Sequence, residues 1–69
     1  MFYTVVELQL SSANGTPACI TQIYTDFDDA LAKMYTVLAT AAKSALVYHA
    51  CFILSSGGEV IDGRAFDRR

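Results

Sequence analysis

Sixty-nine residues with a mass of 7.5 kDa and a mean hydropathy of +0.34 make a single small domain, residues 1–69. A chain of this size buries only about 60% of the surface its unfolded form exposes, and folds below roughly 70–80 residues usually need a disulfide, a metal or a second subunit. The apolar share of 54% against 17% charged excludes disorder, and seven acids against five bases argue against polymeric nucleic acid as the main partner.

Phe2 to Leu10 alternates as a strand. Phe2, Thr4, Val6, Leu8 and Leu10 share one face, and Tyr3, Val5, Glu7 and Gln9 fall on the second. The turn Ser11–Pro17 contains Asn14-Gly15, which predicts positive-φ positions for a hairpin, and Pro17 sits just ahead of the next strand. Ala18 to Thr25 is that second strand. Asp26 then predicts a helix start, with Asp28 and Asp29 in the first turn where the helix dipole favours negative charge. Phe27, Ala30, Leu31, Met34, Val37, Leu38, Ala41 and Ala42 recur at three and four residues and form one apolar stripe. Met34 and Tyr35 read as packing residues, and Lys43 suits the negative pole at the helix end.

Leu46 to Leu54 is rich in β-formers and apolar on both alternating faces. One face holds Val47, His49, Cys51 and Ile53; the other holds Tyr48, Ala50, Phe52 and Leu54. Ser55-Ser56-Gly57-Gly58 is a tight turn, and Glu59 to Phe66 returns as a fourth strand.

The order ββαββ predicts an α+β fold: a four-stranded antiparallel sheet, order 2-1-3-4, with one helix on one face. The helix is then a crossover over the first strand. A water-facing antiparallel sheet alternates apolar with polar, yet the third strand is apolar twice over and Tyr3 and Val5 lie on the first strand's second side. A second copy of the chain is the simplest cover, so the expectation is a homo-oligomer, a dimer or a dimer of dimers, joined by sheet faces or edges. The rival occupant is a foreign protein.

No residue pattern names a reaction. Cys19 and Cys51 lie in apolar runs and read as buried hydrophobes; with His49 they are too few for a closed zinc site, and no metal or cofactor is expected. A Cys51–His49 nucleophilic pair is disfavoured, because i and i+2 on a strand are about 6–7 Å apart and no third group orients the imidazole. Asp26, Asp28 and Asp29 are explained by capping. Ser55–Gly58 opens onto a strand and is not a phosphate loop. Asp62 and Arg64 share a face and could pair. Arg64, Arg68 and Arg69 crowd the last six residues, as either a frayed terminus or an anion clamp, since guanidinium groups bind phosphate bidentately. Tyr3, Tyr24, Tyr35 and Tyr48 suit stacking or ordinary packing alike. The opening Met1-Phe2-Tyr3-Thr4 lacks a basic leader pattern, and no apolar run approaches the ~20 residues of a membrane span. A reduced cytoplasm is expected.

The run Ala41-Ala42-Lys43-Ser44-Ala45-Leu46-Val47-Tyr48-His49-Ala50, followed by Ile53-Leu54-Ser55-Ser56-Gly57-Gly58-Glu59-Val60-Ile61, resembles a group of small proteins of phages and Firmicutes prophages. The opening Phe2-Tyr3-Thr4-Val5-Val6-Glu7 and the turn Asn14-Gly15-Thr16-Pro17-Ala18 are similar too. Small homo-oligomeric phage proteins of this kind look like the signal-sequestering sponges, such as the Sequestin and Lockin families. The resemblance implies a non-catalytic protein of the host bacterial cytoplasm. It would bind a nucleotide-derived messenger made by bacterial TIR proteins (a cyclic ADP-ribose isomer or His-ADP-ribose) and so inhibit Thoeris defence. On that reading Arg64, with Arg68 or Arg69, would hold the pyrophosphate, Tyr3 and His49 would frame base or ribose, and Lys43 would assist, all at a subunit seam. The alternatives are a phage structural or interaction protein docking through its sheet face, and, more remotely, an enzyme cleaving such a messenger.

Overall fold

The computed structural model describes residues 1–12 and 14–69; Ala13, inside the predicted Ser11–Pro17 turn, lies outside the described residues. The elements are β1 (Tyr3–Leu10), β2 (Ala18–Tyr24), α1 (Phe27–Ala42), β3 (Tyr48–Ser55) and β4 (Val60–Asp67). They form an antiparallel sheet in the order β2-β1-β3-β4 with one helix, as the α+β reading expects.

Local chemistry explains the boundaries. Asp26 caps α1 by accepting from the Asp28 amide at 2.8 Å, and Asp28 and Asp29 complement the positive pole. The β3–β4 turn closes with Gly58 N–H donating to the Ser55 carbonyl at 2.9 Å and Ser55 N–H to that of Glu59 at 2.8 Å. Gly58 takes φ +87°, a region that side chains resist. Gly15 does not take the positive φ expected of it: among the described residues only Gly58 does, and the expectation for Asn14 rests on its bond to Ala13, outside the described residues. The β1–β2 connection is long enough to reverse without a two-residue turn, and Gly15 N–H simply closes it on the Ser12 carbonyl. β4 carries a bulge, since Leu54 pairs Val60 while Ile53 pairs Asp62.

The helix covers one face. Ala30, Met34 and Val37 pack with Val5, Cys51 and Ile53 in the core, flanked by Tyr3, Tyr24, Phe27, Leu31 and Leu38. Side-chain alternation therefore puts Tyr3, Val5, Glu7 and Gln9 under α1, and the uncovered side is the one with Phe2, Val6, Leu8 and Leu10. The sequence reading, which left Tyr3 and Val5 outside, is reversed. On β3 the uncovered residues are Tyr48, Ala50, Phe52 and Leu54, in register with β1. Two further readings are corrected. Cys19 is exposed, because β2 is an edge strand with no outer neighbour. Tyr35 is 58% exposed and stands outside the core.

Candidate functional site

α1 lies chiefly on the central strands β1 and β3 and only grazes the edge strands β2 and β4. Small residues on the flank of the helix, Ala39 and Ala42, leave a cleft of about 490 Å³ over β4, lined also by Met34, Tyr35, Leu38, Asp62, Gly63, Arg64 and Phe66. The size falls in the usual ~300–1,000 Å³ range of small-ligand sites.

Arg64 carries the charge of this cleft. Its guanidinium lies 5.0 Å from the Phe66 ring centre, and among the described residues no carboxylate pairs with it. The anticipated Asp62–Arg64 pair does not form; the Asp62 carboxylate accepts from the Gly63 amide at 2.8 Å instead. Tyr35 and Phe66 supply flat apolar walls, Asp62 an acceptor and Arg64 a cationic N–H donor for an anion. Such a set suits a ligand with a planar ring, hydroxyls and a phosphate.

The other two arginines are engaged. Arg68 reaches across to α1, donating to the carbonyls of Ala41 at 3.0 Å and Ala42 at 3.3 Å, while its backbone N–H bonds the Val47 carbonyl at 2.6 Å. It satisfies orphan carbonyls at the helix end and complements the negative pole, the part assigned to Lys43, whose own position is the exposed C-cap. Arg68 also lies 5.4 Å from the Phe66 ring, so it backs the cleft wall. Arg69 is held by Asp67 through bonds of 3.0 and 2.9 Å and rests on the Tyr48 ring. That pair pulls the Asp67 carboxyl down to about 2. The frayed-terminus reading fails, because β4 is paired through Asp67 and Arg68 is tied down.

Tyr3 and His49 do not meet. Tyr3 is opposite Ser55 and His49 is opposite Gln9, so within one chain they are separated by roughly 20 Å along the sheet at ~3.3 Å per residue. Tyr3 packs edge-on against Phe27 at 5.3 Å. His49 is 3% exposed beneath the helix, its Nε2 2.6 Å from the Glu7 carboxylate. Tyr3, His49 and Arg64 all belong to the helix side of the sheet, and a single chain does not gather them into one site.

Glu7 is the residue that the sequence reading missed, the group that orients His49. Nothing local joins them, since they are 42 positions apart; only the β1–β3 register brings Glu7 opposite Cys51, next to His49. Gln9 donates to the same carboxylate oxygen at 2.7 Å. Burial alone would raise the Glu7 carboxyl, but the His49 and Gln9 hydrogen bonds, with the charges of His49 and Lys33, outweigh it and hold it below the ordinary value. Beside it, burial and the Glu7 charge push the Cys51 thiol up to about 11. The thiol is therefore protonated at neutral pH and fully enclosed, a poor nucleophile. The His49 Nδ1 atom is buried without a hydrogen-bond partner among the described residues. This cluster has the residue types of a catalytic triad and none of the access one requires.

No group of three or more His, Cys, Asp or Glu among the described residues is arranged to hold a metal ion, and no helix among them is long and apolar enough to cross a membrane. Compared with known protein families, curated proteins and solved structures, the chain matches none.

Proposed function

We propose that this protein is a non-catalytic binding module that sequesters a small nucleotide-derived messenger, of the cyclic ADP-ribose or His-ADP-ribose type, and so inhibits Thoeris-type signalling in the cytoplasm of a phage-infected bacterium. The observation that carries the reading is the cleft over β4, where an unpaired guanidinium and two aromatic rings surround about 490 Å³. Arg64 takes the phosphate, Phe66 or Tyr35 stacks on the base, and Asp62 accepts from ribose hydroxyls. Sequestration needs affinity without turnover, and the one His/Cys/Glu cluster lies closed beneath the helix.

Calorimetry with cyclic ADP-ribose isomers and His-ADP-ribose tests this, with the bound molecule released by heating and identified by mass. The expected result is stoichiometric binding and release of unchanged ligand. Arg64→Ala is expected to weaken binding about 10- to 100-fold, as loss of a hydrogen bond to a charged group does, whereas Arg69→Ala, whose guanidinium belongs to Asp67, leaves it unchanged. No heat with any of these nucleotides, or equal affinity in Arg64→Ala, refutes the assignment. A converted product makes the protein an enzyme.

A second reading, an interaction protein that docks a protein partner through its sheet, is favoured by the uncovered apolar face described above. It predicts silence in the same titration.

A further inference from the structure

We infer that the uncovered sheet face is the seam of a two-fold homodimer, in which each copy covers the apolar side that the partner's single helix leaves open. The face is apolar across all four strands, through Ile23, Phe2, Leu8, Phe52, Leu54 and Val60. Several remain open to solvent in one chain, Ile23 and Val60 at 65% and Phe2 at 42%. A lone polypeptide that leaves such side chains wet forgoes about 25 cal/mol for each Å² it could bury.

Area points to a partner of this chain's own size. Four strands about 4.8 Å apart and some eight residues long at ~3.3 Å each span roughly 19 by 26 Å. Two such faces together hide on the order of 1,000 Å², about the threshold for a specific protein interface.

Charge and shape point to a second copy. The chain has twelve charged side chains (seven acids, five bases), yet on this face stand only Asp67 and the Arg69 that bonds it and lies on the Tyr48 ring, and their charges cancel. An identical face meets it without like-charge repulsion, whereas no charge pattern is present to select a foreign protein. The relief is also self-complementary. Over β3 and β4, Ala50, Gly63 and Ala65 floor a hollow of about 290 Å³ walled by Tyr48, Phe52 and Val60. Over the edge strand β2, Ile23 projects at 65% exposure. A two-fold axis between the halves sets each Ile23 toward the partner's hollow, the reciprocal contact that an isologous interface demands.

Sedimentation equilibrium on the purified full chain, at about 10–100 μM, tests the inference. The expected mass is twice the 7.5 kDa of one chain. Val60→Lys and Phe2→Lys each change a side chain that one chain leaves exposed, so the fold tolerates them, which far-UV circular dichroism verifies. Each is expected to raise the dimer dissociation constant at least about 100-fold, as an unpaired buried charge does. Ile20→Lys alters the same edge strand on its helix side, where Ile20 is 50% exposed, and leaves the dimer intact. A wild-type chain of single mass overturns the inference. So does a dimer that survives Val60→Lys and Phe2→Lys but dissociates with Ile20→Lys, which makes the sheet edge the contact. The cleft over β4 lies on the opposite side of the sheet, so neither outcome bears on the nucleotide titration.

Discussion

Gly63→Ala is the most direct probe of how β3 and β4 fit together. A Cβ added at Gly63 falls 2.3 Å from the Phe52 Cβ, 2.9 Å from the Phe52 Cα and 3.0 Å from the Cys51 carbonyl oxygen. Carbon atoms rest at about 3.5–4.0 Å, so the shortfall exceeds 1 Å. No rotamer relieves it, because the Cα and Cβ of Phe52 move only with the backbone. The strands must part, at an overpacking cost of ~1–3 kcal/mol plus about 1 kcal/mol for a weakened ladder bond. Against this, Ala has a conformational advantage over Gly of ~0.5–1 kcal/mol in a strand. The net loss is about 1–3.5 kcal/mol, which lowers the melting temperature of a domain this small by roughly 5–25 °C. Thermal melting at one fixed protein concentration reads it, with Gly57→Ala as control. A Cβ there meets only the Ser55 Oγ, at 3.7 Å, and melting should stay within ~2 °C of wild type. A Gly63→Ala protein that melts with wild type refutes the Phe52–Gly63 pairing.

The buried cluster gives two further predictions. In a Cys19→Ser protein the remaining Cys51 should stay unlabelled by a thiol reagent at pH 8 and react once urea unfolds the chain; fast labelling of the native form contradicts its enclosure. A thiol raised from 9.0 to about 11 adds stability that is complete below pH 9 and is lost as pH rises toward 11, worth up to about 3 kcal/mol at ~1.4 kcal/mol per pH unit. Glu7 has the opposite sign. Its carboxyl is held below 4.5, so its contribution is present above that pH and disappears as acid protonates the native carboxylate. Urea titrations from pH 7 to pH 3 should show Glu7→Gln weaker than wild type by about 1–3 kcal/mol at neutral pH and converging with it in acid; parallel pH profiles exclude the Glu7–His49 bond as the cause.

What was legible in the sequence is what depends on near neighbours. Asp26 announces the helix start because a cap is a contact two residues long, and the alternation of Tyr48–Ser55 announces a central strand because both faces are apolar. Strand order followed from two hairpins and one crossover. The side of the sheet that α1 takes was not legible. A crossover between parallel strands nearly always has one hand, and that hand selects the face whatever side chains stand there; here the helix took Val5 and Glu7 and left the side with Phe2, Val6 and Leu8 without a helix over it. The roles of the basic residues were equally hidden. Arg68 meets the helix end 27 positions away, and Arg69 closes on a neighbour at i−2. Only their positions in the folded sheet distinguish these structural guanidiniums from Arg64.

The two faces of this sheet therefore answer different needs. On the helix side the polar groups are spent on order: Glu7 and Gln9 secure His49, and Arg68 ties β4 to the end of α1. Arg64 stands apart, over a cleft that exists because α1 is centred on β1 and β3 and turns small residues toward β4. Were α1 shifted one strand width, about 4.8 Å, toward β4, the cleft would close. The centred helix thus secures β1 and β3 and leaves the edge strands free to present side chains. The bare face on the other side follows from the same economy, since one helix of 16 residues cannot wrap a four-stranded sheet. A chain this short gains a recessed site by leaving its core half covered, and the remainder of its stability must come from whatever closes over Leu8, Phe52 and Val60.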